Sequence, residues 1–164
     1  MPTFETVRRV PFSPQQMYAL VADVERYPEF LPLCEALAVR QRTETGGKPV
    51  IIAVMDIGYK AIRERFTTRV TLSPAEPSVH VTYLDGPFHH LDIAWRFVPV
   101  DGGRACDVKF GIDYRFKSPL LGVLMGAMFD KAFRKFAEAF EMRARAVYGS
   151  PATCTAAVPA PMES

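Results

Sequence analysis

From residue 34 to residue 116 the apolar side chains recur at every second position, and short turn signals break the run at intervals. An extended chain puts successive side chains on opposite faces, so this period specifies strands with one oily face and one wet face. It predicts strands over residues 35–44, 49–57, 61–73, 78–84, 90–100 and 105–116. Between them stand Thr45-Gly46-Gly47-Lys48, Gly58-Tyr59, Ser73-Pro74, Asp85-Gly86-Pro87 and Asp101-Gly102-Gly103. Connections this short join antiparallel neighbours and leave no room for the crossover helices of a parallel sheet.

The flanks follow other rules. Residues 4–10 read as an opening strand. Ser13-Pro14 starts a helix, because serine supplies a capping oxygen and proline at the first helical position forfeits no needed N–H. Met17, Tyr18, Leu20 and Val21 then turn towards the core, and Asp23 is placed to cap a second short helix that Pro28 and Pro32 curtail. Ser118-Pro119 repeats the start signal, and a helical pattern continues for about thirty residues to Tyr148, about 45 Å of helix. Leu121, Met125, Met128, Ala132, Phe136 and Phe140 form its apolar stripe, widened by Phe129, Phe133 and Val147, while Lys131, Arg134, Glu138, Glu141 and Arg145 are expected to face water. Gly122 and Gly126 suit either close packing on the sheet or a mobile, apolar first turn able to touch a bilayer. The expectation is an α+β fold: a curved antiparallel sheet of about seven strands wrapped around a long C-terminal helix, with two short helices after the first strand. Residues 150–164, rich in proline and small side chains without an aromatic, are expected to be a disordered tail on a domain of residues 1–149.

Composition bounds the function. A chain of 164 residues suits one domain. With 49% hydrophobic residues wholesale disorder is excluded, and a net charge of +2 gives no reason to expect DNA as a partner. No apolar run reaches the roughly 18 residues of a membrane span. The start, Met1-Pro2-Thr3-Phe4-Glu5, lacks the form of a secretory signal. Cys34, Cys106 and Cys154 cannot all pair within one chain, which suits a reducing cytoplasm, with peripheral attachment to a membrane face left open.

Strand parity identifies the inward faces. Ile62, Glu64, Phe66, Thr68, Val70 and Leu72 share one face, opposite Arg63, Arg65, Thr67, Arg69 and Thr71. Leu91, Ile93, Trp95 and Phe97 share another, and Cys106, Val108, Phe110, Ile112, Tyr114 and Phe116 a third. These rings either fill the interior or line a hollow. Glu64 is anomalous among them. A carboxylate there sits at a bulge or at the sheet mouth, or else anchors a ligand oxygen, with Lys60 or an arginine as its pair. Signals of catalysis are weak. His80, His89 and His90 lack metal-ligand spacing, and no nucleophile elbow or phosphate loop occurs. Cys34, at a helix-to-strand junction, suits a small buried thiol. The expectation is no enzyme, no metal and no required cofactor.

Several segments resemble the coenzyme Q-binding proteins of the START-like, polyketide-cyclase superfamily. They are Val21-Ala-Asp-Val-Glu-Arg-Tyr-Pro-Glu-Phe-Leu-Pro-Leu-Cys34, Gly58-Tyr-Lys-Ala-Ile-Arg-Glu-Arg-Phe-Thr-Thr-Arg-Val70, Leu84-Asp-Gly-Pro-Phe-His-His-Leu91, Trp95-Arg-Phe97 and Ala139-Phe-Glu-Met-Arg-Ala-Arg-Ala-Val-Tyr-Gly149. The resemblance implies a helix-grip fold with an apolar cavity under the C-terminal helix. It also implies non-catalytic binding of ubiquinone or a related polyprenyl lipid in support of respiratory electron transport or quinone biosynthesis. The cysteine reading sets the protein in the cytoplasm, with peripheral contact at the inner membrane face left open. On the quinone-binding reading the ligand lies among Glu64, Phe66, Val70, Trp95, Phe97, Phe110, Tyr114, Met125, Phe129 and Phe133. A bacterial branch of the family implies an alternative, a ribosome-associated protein that blocks subunit joining, for which Arg63, Arg65 and Arg69 could meet RNA phosphates. A cyclase or aromatase activity is a second alternative. Leu33 departs from the resemblance, since many relatives carry an aromatic there.

Overall fold

Strands β1 (Thr3–Val10), β2 (Cys34–Thr45), β3 (Lys48–Tyr59), β4 (Ile62–Ser73), β5 (Ser78–Asp85), β6 (Phe88–Val100) and β7 (Ala105–Phe116) form one sheet in the order β1-β7-β6-β5-β4-β3-β2. Every neighbouring pair is antiparallel. This computed structural model describes residues 3–59 and 62–149, and of Tyr59, Ile62 and Met125 it describes the backbone only. The expected tail, Cys154, Lys60 and Ala61 lie outside the described residues. The expected strands are all present and differ from those observed by no more than two residues at an end. Bulges interrupt β2 between Cys34 and Ala36 and between Val39 and Gln41. As an outermost strand it carries exposed Glu35, Arg40, Arg42 and Glu44.

Between β1 and β2 lie α1 (Pro14–Ala22) and a 3-10 helix over Val24–Glu29. The start of α1 is a full capping box: the Gln16 N–H donates to Ser13 Oγ at 3.1 Å, and the Ser13 N–H donates to Gln16 Oε1 at 2.9 Å. Met17 and Val21 are fully buried, with Tyr18 and Leu20 partly so. Asp23 does not cap the next helix as expected: its side chain makes no cap bond and instead pairs with Arg26 at 3.4 Å.

The C-terminal helix departs most from expectation. It is two helices, α2 (Pro119–Arg134) and α3 (Phe136–Tyr148), divided at Lys135. The Lys135 N–H reaches back only three residues, to the Ala132 carbonyl at 3.0 Å, a tightened turn that interrupts the i→i−4 ladder. No proline or glycine marks the break, so an apolar stripe continuous in sequence reads as one helix. The turn aims Phe133 and Phe136 at each other, with centroids 5.2 Å apart, and lets Phe140 reach Trp95 at 5.1 Å. Gly122 and Gly126 do not serve close packing. A side chain at Gly122 would meet only the Phe116 ring at 3.9 Å, and one at Gly126 nothing within 4 Å. Leu120, Val123 and Leu124 around them are exposed, as is Val147.

Glu141 was expected to face water and is buried instead, because β1 brings Arg8 over it. Arg8 Nε donates at 2.5 Å and Arg145 Nη2 at 2.7 Å. Burial pushes the Glu141 carboxyl up, but the two guanidinium partners outweigh this and hold it below the usual carboxylate range. A depressed folded-state pKa gives stability that is present above the unfolded value of about 4.3 and lost as pH falls through the folded one. Glu141→Gln is therefore expected to cost about 1–2 kcal/mol at pH 7. The deficit should shrink as the pH drops below about 4, which urea midpoints across pH would record.

Candidate functional site

The inner sheet face and the two C-terminal helices enclose a cavity of about 80 Å³. Ala53, Met55 and Ile57 of β3, Phe66, Thr68 and Val70 of β4, Val81 of β5, and Phe88, Leu91, Ile93 and Trp95 of β6 form its floor. Phe110 of β7 and Leu37 of β2 extend that floor. Phe129 and Phe133 of α2 with Phe136 and Phe140 of α3 form the roof, and Val24, Tyr27, Leu31, Pro32 and Leu33 close one end. Rings dominate the packing: Trp95 lies 4.4 Å from Phe110, Phe66 5.4 Å from Phe88, and Phe129 5.4 Å from Phe133. Among the described residues no carboxylate, histidine, lysine or arginine side chain lines this wall. The Tyr27 hydroxyl is already committed, donating to the Val21 carbonyl.

Of the expected site residues, Phe66, Val70, Trp95 and Phe110 of the sheet and Phe129 and Phe133 of α2 line this one space. Three other expected residues do not join them. Glu64 lies one alternation nearer the β3–β4 turn than Phe66, half-buried opposite Ile57 and off the cavity wall, so its role as the ligand's anchor is not supported. Phe97 is buried on the far side, stacked with Trp95 at 6.4 Å and against Tyr18 of α1 at 6.3 Å. Tyr114 is screened from the space by Phe133, whose ring lies 5.1 Å away. The side chain of Met125 lies outside the described residues. Parity applied to β3 would also have found Ala53, Met55 and Ile57. The 24–33 segment could not have been found that way, because it approaches through tertiary packing. Leu33, the departure noted in the sequence, sits on the wall with a left-handed φ of 69°.

A dry cavity that holds one benzene measures about 150 Å³, so this hollow must widen to admit a ring. Gly86 shows how tightly one wall is built. Its φ is +141°, and an added Cβ would stand 2.5 Å from Phe66 Cβ. Gly86→Ala is expected to destabilise by at least about 1–3 kcal/mol from backbone strain, and to displace Phe66. Lowered urea midpoints together with altered Trp95 emission would check both effects.

The other reactive residue types are otherwise engaged. Burial pushes Cys34 and Cys106 up to about 12, with Asp56 and Asp107 adding to the shifts, so both remain thiols. His80 hydrogen-bonds Asp92 at 3.0 Å. His90 lies 3.0 Å from an Asp113 oxygen without hydrogen-bond alignment. Arg63 pairs with Glu35 at 2.9 Å and Arg65 with Asp56 at 2.7 Å, so the arginine row on the outer face of β4 is partly neutralised. No helix among the described residues is long and apolar enough to cross a membrane.

The model of one protein family, described as polyketide cyclase / dehydrase and lipid transport, matches residues 10–141. The chain belongs to that family. Within this cyclase and lipid-transport family, the Escherichia coli protein "Ribosome association toxin RatA" is 34% identical over 150 residues, covering 92% of this chain and 91% of its own. The Xenopus laevis "Coenzyme Q-binding protein COQ10 homolog B, mitochondrial" is 34% identical over 141 residues, covering 84% of this chain and 56% of its own. Among solved structures, the 18 kDa protein CC1736 from Caulobacter crescentus is 34% identical with a TM-score of 0.74, covering 92% of this chain and all of that one. A START superfamily protein from Mycobacterium smegmatis shares the fold at a TM-score of 0.74 and 21% identity, covering 88% of this chain and 98% of its own.

Proposed function

We propose that this protein is a non-catalytic binding protein that takes one apolar molecule into the cavity between sheet and helices, without a metal or organic cofactor. The observation carrying this reading is the wall itself, almost wholly apolar and, among the described residues, without a carboxylate, histidine, lysine or arginine; its two hydroxyl groups are those of Tyr27, already bound to the Val21 carbonyl, and Thr68. Such a wall suits a cyclase poorly, since proton transfer needs a positioned acid or base. Each buried CH2 contributes about 0.8 kcal/mol, so a long hydrocarbon tail gives the affinity needed to part the rings. Ubiquinone has that form. The test is organic extraction of the purified protein with mass spectrometry, followed by titration with a short-tailed ubiquinone. Trp95, the only tryptophan of the chain and part of the wall, reports occupancy by its fluorescence. Absence of any co-purified lipid together with no saturable quenching would overturn the reading.

For the cellular role, the sequence pointed first to quinone support and second to the ribosome. The relatives favour the second: bacterial proteins named as ribosome association toxins match along nearly the whole chain, whereas the coenzyme Q-binding relative is a much longer protein. Association with a ribosomal particle is therefore the better-supported partner reading, and the cytoplasm its setting. The paired Arg63 and Arg65 offer phosphates less than a bare arginine row would. Sucrose-gradient profiles after overexpression decide it. A shift from joined ribosomes to free subunits supports the reading, and an unchanged profile removes it.

A further inference from the structure

One residue in the wall breaks its chemistry. β4 sends Phe66, Thr68 and Val70 to the inner face, and Thr68, only 7% exposed, lines the cavity between the two apolar side chains. Its partner across β3 is Ala53, which also lines the cavity and has no side-chain atom beyond Cβ. Among the described residues the Thr68 hydroxyl makes no hydrogen bond, and its oxygen keeps some accessible surface rather than being sealed among side chains. Interiors satisfy nearly all their buried polar groups, and an unmade bond is costly. Water fits this place badly, because a buried water needs two to four polar partners and the rest of the wall is oily. The Tyr27 hydroxyl cannot help, being bound to Val21.

We infer that Thr68 is the polar anchor of the cavity, and that its occupant is an apolar molecule carrying a carbonyl or hydroxyl oxygen that hydrogen-bonds the Thr68 hydroxyl. This rests on the cavity-binding reading and specifies the ligand class for it: an oxygenated ring or chain, selected over a hydrocarbon of the same shape. Thr68 takes the role that sequence parity offered to Glu64. In this arrangement the oxygenated end of the ligand lies against Thr68 and the rest of it along the apolar side chains of the wall.

The experiment compares 4-octylphenol with its isostere 4-octyltoluene, both followed by Trp95 fluorescence, on the full chain and on Thr68→Val and Thr68→Ser. Valine keeps the shape and the strand preference while deleting the hydroxyl, and urea midpoints confirm that the variants fold. Thr68→Val is expected to weaken the phenol about 3- to 10-fold and leave the toluene unchanged, while Thr68→Ser keeps the discrimination. Equal loss of both probes, or no loss of either, would overturn the anchor while leaving the cavity reading intact. If the unaltered chain binds neither probe, the cavity reading falls and takes the anchor with it.

Discussion

Replacing Phe140 by alanine is expected to remove about 3–5 kcal/mol of folding stability, a large share of the 5–15 kcal/mol typical of a domain. Phe140 is 1% exposed and stands where three parts of the chain meet: its ring lies 5.5 Å from Tyr27, 5.0 Å from Phe30 and 5.1 Å from Trp95. The loss should fall in the upper half of the range. Phe140 already borders the hollow, so truncation enlarges an existing void. Chemical denaturation measures the effect, and Phe136→Ala, at a half-buried position on the same helix, should cost visibly less. A Phe140→Ala deficit below about 1 kcal/mol would mean that α3 does not dock on the sheet through this ring.

Ala53→Leu is expected to cut apolar-ligand binding by more than about tenfold while changing stability by less than about 1 kcal/mol. The leucine places three further carbons into a space of about 80 Å³, removing contacts worth about 0.8 kcal/mol per CH2 of guest, and 1.4 kcal/mol is a factor of ten. In a fully packed interior the same substitution would cost about 1–3 kcal/mol in strain. Binding titrations and urea midpoints on one preparation therefore separate a hollow core from a filled one. Retained binding with a strongly lowered midpoint would argue for the filled one.

Much of this architecture was legible because one signal, the period of two, controls both strand identity and facing. β7 illustrates it: Cys106, Val108, Phe110, Ile112, Tyr114 and Phe116 are all buried, as their alternation demands. Parity says which way a side chain points but not what lies above it. That is why Tyr114 and Phe97 face inward yet miss the cavity, one under Phe133 and the other beneath α1. Glu64 failed as anchor for a related reason, since a strand's inner face extends past the space it helps to enclose. Thr68 stood in the same inward set and drew no notice, because a threonine on a strand is unremarkable until its neighbours prove to be oily and its hydroxyl unpartnered. Lys135 was invisible for want of any helix-breaking residue, and Glu141 because its partner Arg8 is 133 positions away in the chain.

The sheet ends on β2, whose far side lends its amides and carbonyls to no further strand of the sheet. Exposed rows of this kind invite strands from other molecules. Here a would-be recruit meets two bulges that spoil its register and a fence of Arg40, Arg42 and Glu44 that repels flat stacking. At this edge the fold resists recruitment of a foreign strand without having to close its sheet into a barrel.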